Sequence, residues 1–138
     1  MRLTFFTDYG LRILMRLALE PDRRFTAEAM SDDLHLSRTH VAKVVQALRE
    51  AGCVATLRGQ GGGFALARPA EDIRIGAVAR RLEGRQPIVE CFRPDGGSCT
   101  ILSRCRLRSR LERAGEAFFR ELDDLTLADC VRAPAGPV

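Results

Sequence analysis

The chain has 138 residues, a length that suits one domain with an appended helix or loop. Its hydrophobic content of 46% is sufficient for a globular core, and no apolar run approaches the ~18 residues that a membrane-spanning helix requires. The net charge of +4 is compatible with a polyanionic partner. The N-terminal residues lack the pattern of a secretory leader, so we expect a cytoplasmic protein with no membrane partner, whose thiols stay reduced.

The first predicted helix follows Thr7, a residue type that caps helix N-termini, and runs from Asp8 to Leu19. Its apolar stripe repeats every four residues and consists of Tyr9, Ile13 and Leu17. Asp8 then lies in the first turn, where a carboxylate complements the positive end of the helix dipole. The residues alone therefore predict an amphipathic helix and an ordinary role for Asp8.

The next two predicted helices are typical of a helix-turn-helix unit. Thr26 caps a short helix over residues 27–34, and Ser37 caps a longer one that ends at Gly52, a common residue type at helix C-caps. The buried stripe of the longer helix consists of Val41, Val44, Val45 and Leu48. Its other faces carry polar and basic side chains, as a DNA-recognition helix does.

A β-hairpin is predicted directly after this unit. Two short apolar runs flank the glycine-rich tip at residues 59–63, and Arg58 precedes the tip. A helix-turn-helix unit followed by a hairpin is the arrangement of a winged-helix domain. Between Ser37 and Arg68 there are five basic residues and one acidic residue, so the net charge of +4 of the whole chain equals that of this segment. The basic excess lies where a DNA-binding face is expected.

Two more helices are predicted, a short one over residues 77–82 and a long one over residues 106–125. The long helix carries a near-heptad apolar stripe formed by Leu107, Leu111, Ala114, Phe118, Leu122 and Leu125. Such a stripe could pack onto its own domain. We favour dimerisation, because a winged domain of this size already has its core. We expect the tail, residues 132–138, to be disordered.

Three of the five cysteines, Cys91, Cys99 and Cys105, lie within fifteen positions of each other in a loop broken by proline and glycine. Clustered thiols in such a loop are hard to explain as core packing and indicate a metal centre. An iron–sulfur cluster is favoured over zinc because no Cys-x-x-Cys pair is present, and a simple thiol redox switch ranks third. Cys53 is expected to be a small buried residue, and Cys130 to be a packing residue or an incidental surface thiol. Either is a less favoured candidate for a further metal ligand.

Several separate segments together resemble the winged-helix regulator family that contains the nitric-oxide-sensing repressor NsrR and the cluster-biogenesis regulator IscR. They are Leu3 to Arg12, Leu36 to Val45, Arg58 to Gly63, Ile73 to Gly76, the three cysteines, Cys105 to Arg108, and Thr126 to Asp129. The resemblance covers about residues 1–131. The Asp8 opening, the His40-x-x-Lys43 pattern and the Thr-Leu-Ala-Asp ending are similar to the NsrR branch.

The resemblance implies that Cys91, Cys99 and Cys105 bind an iron–sulfur cluster, with 4Fe–4S favoured and 2Fe–2S possible. In the NsrR branch the remaining ligand is an aspartate from the other subunit, matched here by Asp8. In the IscR branch it is a histidine three residues after the last cysteine, and this chain has Arg108 there. The first cysteine gap departs from the family pattern, being longer by about two or three residues, a change that a loop tolerates.

The resemblance also implies that the chain binds double-stranded, roughly palindromic operator DNA. Ser37 and Thr39 could contact phosphates through hydroxyl and backbone groups, and Arg58 could enter the minor groove. The full set of expected DNA contacts is Ser37, Arg38, Thr39, His40, Lys43, Arg58, Gly62 and Gly63.

We therefore expect a mainly α fold with a small β-hairpin wing, a winged helix-turn-helix followed by a long C-terminal dimerisation helix. The expected segments are the DNA-binding domain at residues 1–84, the cluster-binding loop at 85–105, the dimerisation helix and C-terminal segment at 106–131, and the tail. The expected function is a homodimeric transcriptional repressor that senses nitric oxide through its cluster. The alternatives are a regulator of the same family that senses iron, cluster supply or redox state, a cysteine-based redox enzyme, and a metal-stabilised DNA-binding module that senses no signal. The enzyme is disfavoured, because no Cys-x-x-Cys motif or nucleotide loop is present.

Overall fold

The computed structural model describes residues 3–84 and 87–132. Within these ranges the elements, in chain order, are α1 (Phe5–Leu19), α2 (Ala27–Leu34), α3 (Arg38–Glu50), β1 (Val54–Leu57), β2 (Gly63–Leu66), α4 (Ile75–Glu83), α5 (Leu107–Asp123) and α6 (Leu127–Val131). Short 3-10 turns lie at Ala70–Asp72, Glu90–Phe92 and Leu102–Arg104. The prediction of a mainly α fold with a hairpin wing and a long late helix is confirmed. The predicted tail lies, apart from Arg132, outside the described residues.

Helix α1 begins three residues earlier than predicted. Its N-cap is Thr4, whose side chain accepts a hydrogen bond from the backbone N–H of Thr7, so the prediction of Thr7 as the cap is wrong. Thr7 is instead completely buried inside the first turn, and its hydroxyl donates to the Glu83 carboxylate. The tertiary contact to Glu83, invisible in a local pattern, determines where the helix starts. Asp8 nevertheless lies in the first turn, as predicted.

Helix α1 is also the centre of the hydrophobic core. Ile13, Leu14 and Leu17 are at most 1% exposed, and the helix packs against α3, α4 and α6. The predicted stripe of α3 is confirmed, since Val41, Val44, Val45 and Leu48 are all buried. The C-cap of α3 is Ala51, and Gly52 follows it at a left-handed φ of 70°, one residue from the predicted position.

The hairpin is fastened to the helical core through the loop that precedes α2. The antiparallel strands pair Val54 with Leu66 and Leu57 with Gly63. Phe25 forms an isolated bridge with Phe64, its N–H donating to the Phe64 carbonyl at 3.0 Å and its carbonyl accepting at 2.8 Å. Both phenylalanine side chains are buried. The wing is therefore held at its base by backbone hydrogen bonds and by apolar burial together.

Helices α4 and α5 touch backbone to backbone. A Cβ added at Gly76 would lie 2.7 Å from the Phe119 carbonyl oxygen and 2.7 Å from the Asp123 nitrogen, so only glycine allows this approach. Beside it, the Arg80 guanidinium donates to Asp123 at 2.6 Å and to Glu116 at 2.9 Å. The same group lies over the Phe119 ring, 5.3 Å from its centroid. These contacts fix α5 against the winged domain.

The C-terminal helix α6 returns to the winged domain, which the sequence did not indicate. Thr126 and Asp129 form a reciprocal capping box at its start. The bridge between Arg74 and Thr126 positions the chain, and Leu127 is completely buried in the core beside α1. The segment after α5 therefore completes the core of the winged domain. None of the helices in the described ranges has the length and apolar character that crossing a membrane requires.

Candidate nucleic-acid interface and metal centre

The turn between α2 and α3 is built by a left-handed residue and a buried serine. His35 caps α2 at φ 53°, a conformation that few non-glycine residues adopt. The Leu36 N–H donates to the Ser31 carbonyl at 3.0 Å, and the buried Ser31 hydroxyl donates to the Leu36 carbonyl. The turn therefore has its polar groups satisfied internally, and it sets the angle at which α3 leaves the domain.

The predicted DNA contacts at the start of α3 all lie on the surface. Ser37 is the N-cap, and its hydroxyl accepts from the His40 N–H at 3.2 Å. The exposed side chains of this face are Ser37, Arg38, Thr39, His40 and Lys43. A helix N-terminus with exposed hydroxyl groups and two cations suits phosphate contact. Each of these contacts remains a prediction.

Two members of this face have partners within the chain. Arg38 forms an exposed ion pair with Glu28 of α2. The His40 ring lies against Tyr9 of α1, with centroids 5.9 Å apart. Tyr9 follows Asp8 directly in the sequence, so the first turns of α1 reach the recognition helix. Sequence patterns had placed Tyr9 only in an apolar stripe.

The wing tip combines an exposed cation with glycines that the local backbone requires. Arg58 is exposed at the end of β1. A Cβ at Gly62 would lie 2.7 Å from the Leu57 carbonyl oxygen, and one at Gly63 would lie 2.6 Å from the Phe25 carbonyl oxygen. Close packing inside the chain therefore explains both glycines. The proposed contact of Gly62 and Gly63 with DNA therefore remains a prediction, and the structure does not need it to account for these glycines.

The three loop cysteines lie between α4 and α5. Cys91 lies in the turn Glu90–Phe92, Cys99 follows the glycine-rich excursion, and Cys105 follows the turn Leu102–Arg104. All three are free thiols of intermediate exposure. Hydrogen bonds from the Ser98 side chain and backbone lower the pKa of the neighbouring Glu90 carboxyl.

The described residues of this single chain do not bring three or more metal-ligating side chains into one group. The donor set itself nevertheless fits an iron–sulfur cluster, because three free thiols on one loop are the soft ligands that such clusters prefer. Asp8 lies apart from them and has its own partner. Its carboxylate pairs with Arg12, at 2.8 Å to Nη2 and 3.1 Å to Nε.

Glu83 links the start of α1 to the end of α4, and sequence reasoning missed it. Its carboxylate accepts from the Thr4 N–H at 3.1 Å and from the hydroxyls of Thr4 and Thr7. A carboxylate at a helix N-terminus is stabilised by the helix dipole. The residue after Glu83 is the left-handed Gly84, where the chain leaves for the cysteine loop. Only the pair of threonines near the N-terminus gave any signal in the sequence.

A cleft of about 800 Å³ separates the cysteine loop from α5. Cys91, Phe92 and Leu102 line it from the loop, and Arg108 and Phe119 line it from α5. The Arg108 guanidinium lies over the Phe92 ring, 5.4 Å from its centroid. This contact gives Arg108 a structural role.

The other two cysteines are packing residues, as predicted. Cys53 is 1% exposed beside β1, and its thiol lies 3.8 Å from Arg68 Nη2. Cys130 of α6 packs against the core, and burial raises the pKa of its thiol. Neither lies on the loop of the other three.

The chain is similar to several solved structures over nearly its whole length. Three solved structures overlay with similar quality. T. potens IscR is 25% identical with a TM-score of 0.74, and the match covers 96% of this chain and 87% of that one. Staphylococcus aureus CymR is 26% identical with a TM-score of 0.74, covering 96% and 100%. A putative transcriptional regulator from Listeria innocua is 29% identical with a TM-score of 0.75, covering 99% and 90%.

The model of one protein family matches residues 3–133. That family is Rrf2, described as an iron-dependent transcriptional regulator. The match includes the helix-turn-helix unit, the wing, the cysteine loop and α5. The chain therefore belongs to the Rrf2 family of transcriptional regulators, which are DNA-binding proteins and not enzymes.

Proposed function

We propose that this regulator is a homodimeric repressor that senses nitric oxide through an iron–sulfur cluster. Cys91, Cys99 and Cys105 would hold the cluster, with the partner's Asp8 as the remaining ligand. The 4Fe–4S form is favoured over 2Fe–2S. In this proposal residues 1–84 read DNA, residues 85–105 bind the cluster and residues 106–131 carry the dimer contact.

The observation that carries the proposal is the position of the three free thiols. They lie on the connection between α4, which packs on α1, and α5, whose apolar stripe includes exposed members such as Leu107. A change in this connection would alter how two DNA-binding domains are held relative to each other. Thiolates are the preferred ligands of iron–sulfur clusters, whereas zinc prefers four closed ligands.

Asp8 supports a sensing role over an electron-transfer role. A carboxylate oxygen is a harder ligand than a thiolate and is more easily replaced by a small diatomic molecule. When bound, an iron–sulfur cluster supplies iron that reacts with nitric oxide. The chain offers Asp8 an alternative partner, since Arg12 pairs with it at 2.8 Å. On leaving a ligand position, Asp8 would therefore find a cation one turn away on its own helix.

The same first turns of α1 reach the DNA-binding face. Tyr9 lies against the His40 ring on the recognition helix, and α1 packs along α3. A movement at Asp8 would therefore be transmitted to α3 by direct contact. In a two-fold dimer the two recognition helices bind half-sites one or two helical turns apart, so a small shift lowers operator affinity.

A second function is favoured by one observation, the family's description as iron-dependent. On that reading the cluster reports iron, cluster supply or redox state, and nitric oxide is not the physiological signal. Both functions use the same cysteines. They differ in which treatment releases the operator.

The test is anaerobic reconstitution, followed by separate exposure to nitric oxide, oxygen and an iron chelator. We expect bound iron and sulfide, visible absorbance, and loss of operator binding at the lowest dose with nitric oxide. Cys99→Ala should abolish iron and sulfide incorporation, and Cys130→Ala, the matched control, should not. Release only by chelator or oxygen would support the second function. A reconstituted protein without iron or sulfide would end both.

A further inference from the structure

The residues directly before Cys91 and Cys99 are joined to each other. We propose that Glu90 is a positioning residue, which together with Ser98 forms a bracket that holds the first two cysteines close despite their long spacing. Seven residues separate Cys91 from Cys99, whereas five separate Cys99 from Cys105. The inference rests on the proposed function, since it assumes that both thiols serve one cluster.

Two hydrogen bonds form the bracket, and both end on the same carboxylate oxygen. The Ser98 hydroxyl donates to Glu90 Oε1 at 2.7 Å, and the Ser98 backbone N–H donates to it at 3.1 Å. Hydrogen bonds to an ionised carboxylate are stronger than those between neutral groups. One donor belongs to the backbone, so the bracket holds the chain itself and not only a side chain.

The backbone closes at the same place. Gly97 adopts a φ of 62°, and a Cβ there would lie 2.7 Å from the Glu90 carbonyl oxygen and 2.8 Å from the Glu90 Cγ. Only glycine therefore allows residues 90 and 97 to approach this closely. The Arg93 N–H donates to the Glu90 carbonyl at 3.0 Å, and the Gly96 N–H donates to the Arg93 carbonyl at 2.9 Å. The residues between the cysteines form a folded-back excursion whose ends meet.

The bracket explains how a longer loop can serve the same purpose as a shorter one. A flexible loop that gains residues lowers the probability that its ends meet. When residues 90 and 98 are fixed to each other, the distance between Cys91 and Cys99 no longer depends on the length of the loop, because each cysteine is one residue from a fixed point. The extra length then projects away as a turn. The effective concentration of one thiol at the other is raised in the apoprotein as well.

The test measures this proximity without any metal. In full-length apoprotein whose other cysteines are replaced (Cys53→Ala, Cys105→Ser, Cys130→Ser), dibromobimane bridges Cys91 and Cys99 and becomes fluorescent only after reacting with both thiols. Rates with monobromobimane correct for changes in thiol reactivity. Glu90→Ala should slow bridging roughly three- to ten-fold, the factor expected for losing such hydrogen bonds. Glu90→Gln, which keeps an acceptor oxygen, should fall between.

Two controls separate the bracket from other effects. Glu71→Gln removes an exposed carboxylate far along the chain and should leave the bridging rate unchanged. Deleting Gly96 and Gly97 shortens the gap to the length of the second one, so Glu90→Ala in that background should change the rate less than about twofold. An equal rate for the wild type and Glu90→Ala overturns the bracket, as does an undiminished effect in the shortened loop.

The proposed function fails on a different measurement. If the wild type takes up no iron or sulfide while Glu90→Ala slows bridging, the bracket stands and the cluster does not. If both stand, holo Glu90→Ala should lose iron to a chelator faster than the wild type and faster than Glu71→Gln.

Discussion

The winged domain and α5 use the same apolar residue types in opposite ways. In α1 and α3 the apolar stripes are buried, with Ile13, Leu14 and Leu48 completely inaccessible. In the 17 residues of α5, Gly115 is the one residue that is buried in the described structure. Leu107 at the start of α5 is 61% exposed and Leu125, just after its end, is 40% exposed, whereas Leu122 packs partly against the core. The first region is complete as one chain, and the second has apolar surface to cover.

The difference shows which interactions hold each part. The winged domain is stabilised by removal of apolar area from water, which is strong and non-directional. Helix α5 is held by the Gly76 contact, the Arg80 ion pairs and the packing of Ile88 over Gly115. Its exposed stripe follows the heptad-like spacing of interfaces between helices. We expect a second copy of the chain to be the partner, because most soluble oligomers consist of identical subunits related by symmetry.

The largest loss of stability is expected from a cavity in the core of the winged domain. Leu48→Ala should lower the free energy of unfolding by about 2–5 kcal/mol, because buried leucine loses both transfer energy and packing. Urea denaturation followed by circular dichroism measures it. Leu107→Ala makes the same chemical change at an exposed position of α5. In dilute protein it should change the free energy of unfolding by less than about 0.5 kcal/mol.

The comparison predicts that a charge in the exposed stripe separates the subunits without unfolding the chain. Ala114 is exposed, and alanine and glutamate both favour helix. Ala114→Glu should weaken dimerisation on the order of 100-fold, since an unpaired charge in an interface costs a few kcal/mol. Sedimentation equilibrium measures this constant. Ser109→Glu adds the same charge on the other side of α5, and an equal effect there would contradict the assigned face.

A smaller effect is expected at the wing, where we propose that the exposed Arg58 contacts DNA and does not stabilise the fold. Arg58→Gln should leave the free energy of unfolding unchanged and weaken operator binding by about 1 kcal/mol. The slope of log affinity against log salt should fall by about one unit, as for one lost phosphate contact. Arg113→Gln removes an exposed arginine from α5 as a control. An unchanged salt slope for Arg58→Gln would contradict the phosphate contact.

The smallest effect is expected at the ion pairs that join α4 to α5. The Arg80 side chain is 34% exposed, so solvent screening makes the stability lost in Arg80→Gln at pH 7 small compared with that lost in Leu48→Ala. The hydrogen bond from Arg80 lowers the pKa of Asp123. That stabilisation is present above the ordinary aspartate pKa of about 3.9 and is lost as pH falls through the lower folded value.

The difference between the wild type and Arg80→Gln should therefore shrink as the pH falls below about 4 in denaturation experiments. Arg81→Gln, an exposed neighbouring arginine, should show no such pH dependence. A difference that persists unchanged at low pH would mean that the Asp123 pair contributes nothing.

Local patterns predicted most of the fold because each element has its own signature. The caps at Thr26 and Ser37, the valine stripe of α3 and the glycine tip of the wing are all short-range features, and the structure has each of them. The start of α1 was missed because it depends on Glu83, more than seventy residues away. The burial of Leu127 was missed for the same reason, since α6 is placed by contacts with α1 and with the segment around Ile73, both distant in sequence.

The candidate site was less predictable, because its parts lie far apart in the chain. Spacing identified the thiols of Cys91, Cys99 and Cys105 as a set, and the family match shows that the chain in which they occur is a transcriptional regulator. The ring contact between Tyr9 and His40 depends on how α1 packs against α3, which a pattern leaves undefined. The ion pair between Asp8 and Arg12, by contrast, follows from i,i+4 spacing on one helix. The bracket at Glu90 depends on a loop conformation, and no periodicity encodes that.

The contact at Gly76 has a consequence for how the protein responds to its surroundings. Ion pairs weaken with salt and apolar burial changes with temperature, whereas the repulsion between two touching backbones depends on neither. The closest approach of α5 to α4 is therefore limited by steric contact. Changes in salt will alter how tightly the protein holds DNA phosphates, and this limit on the approach of the two helices will stay the same.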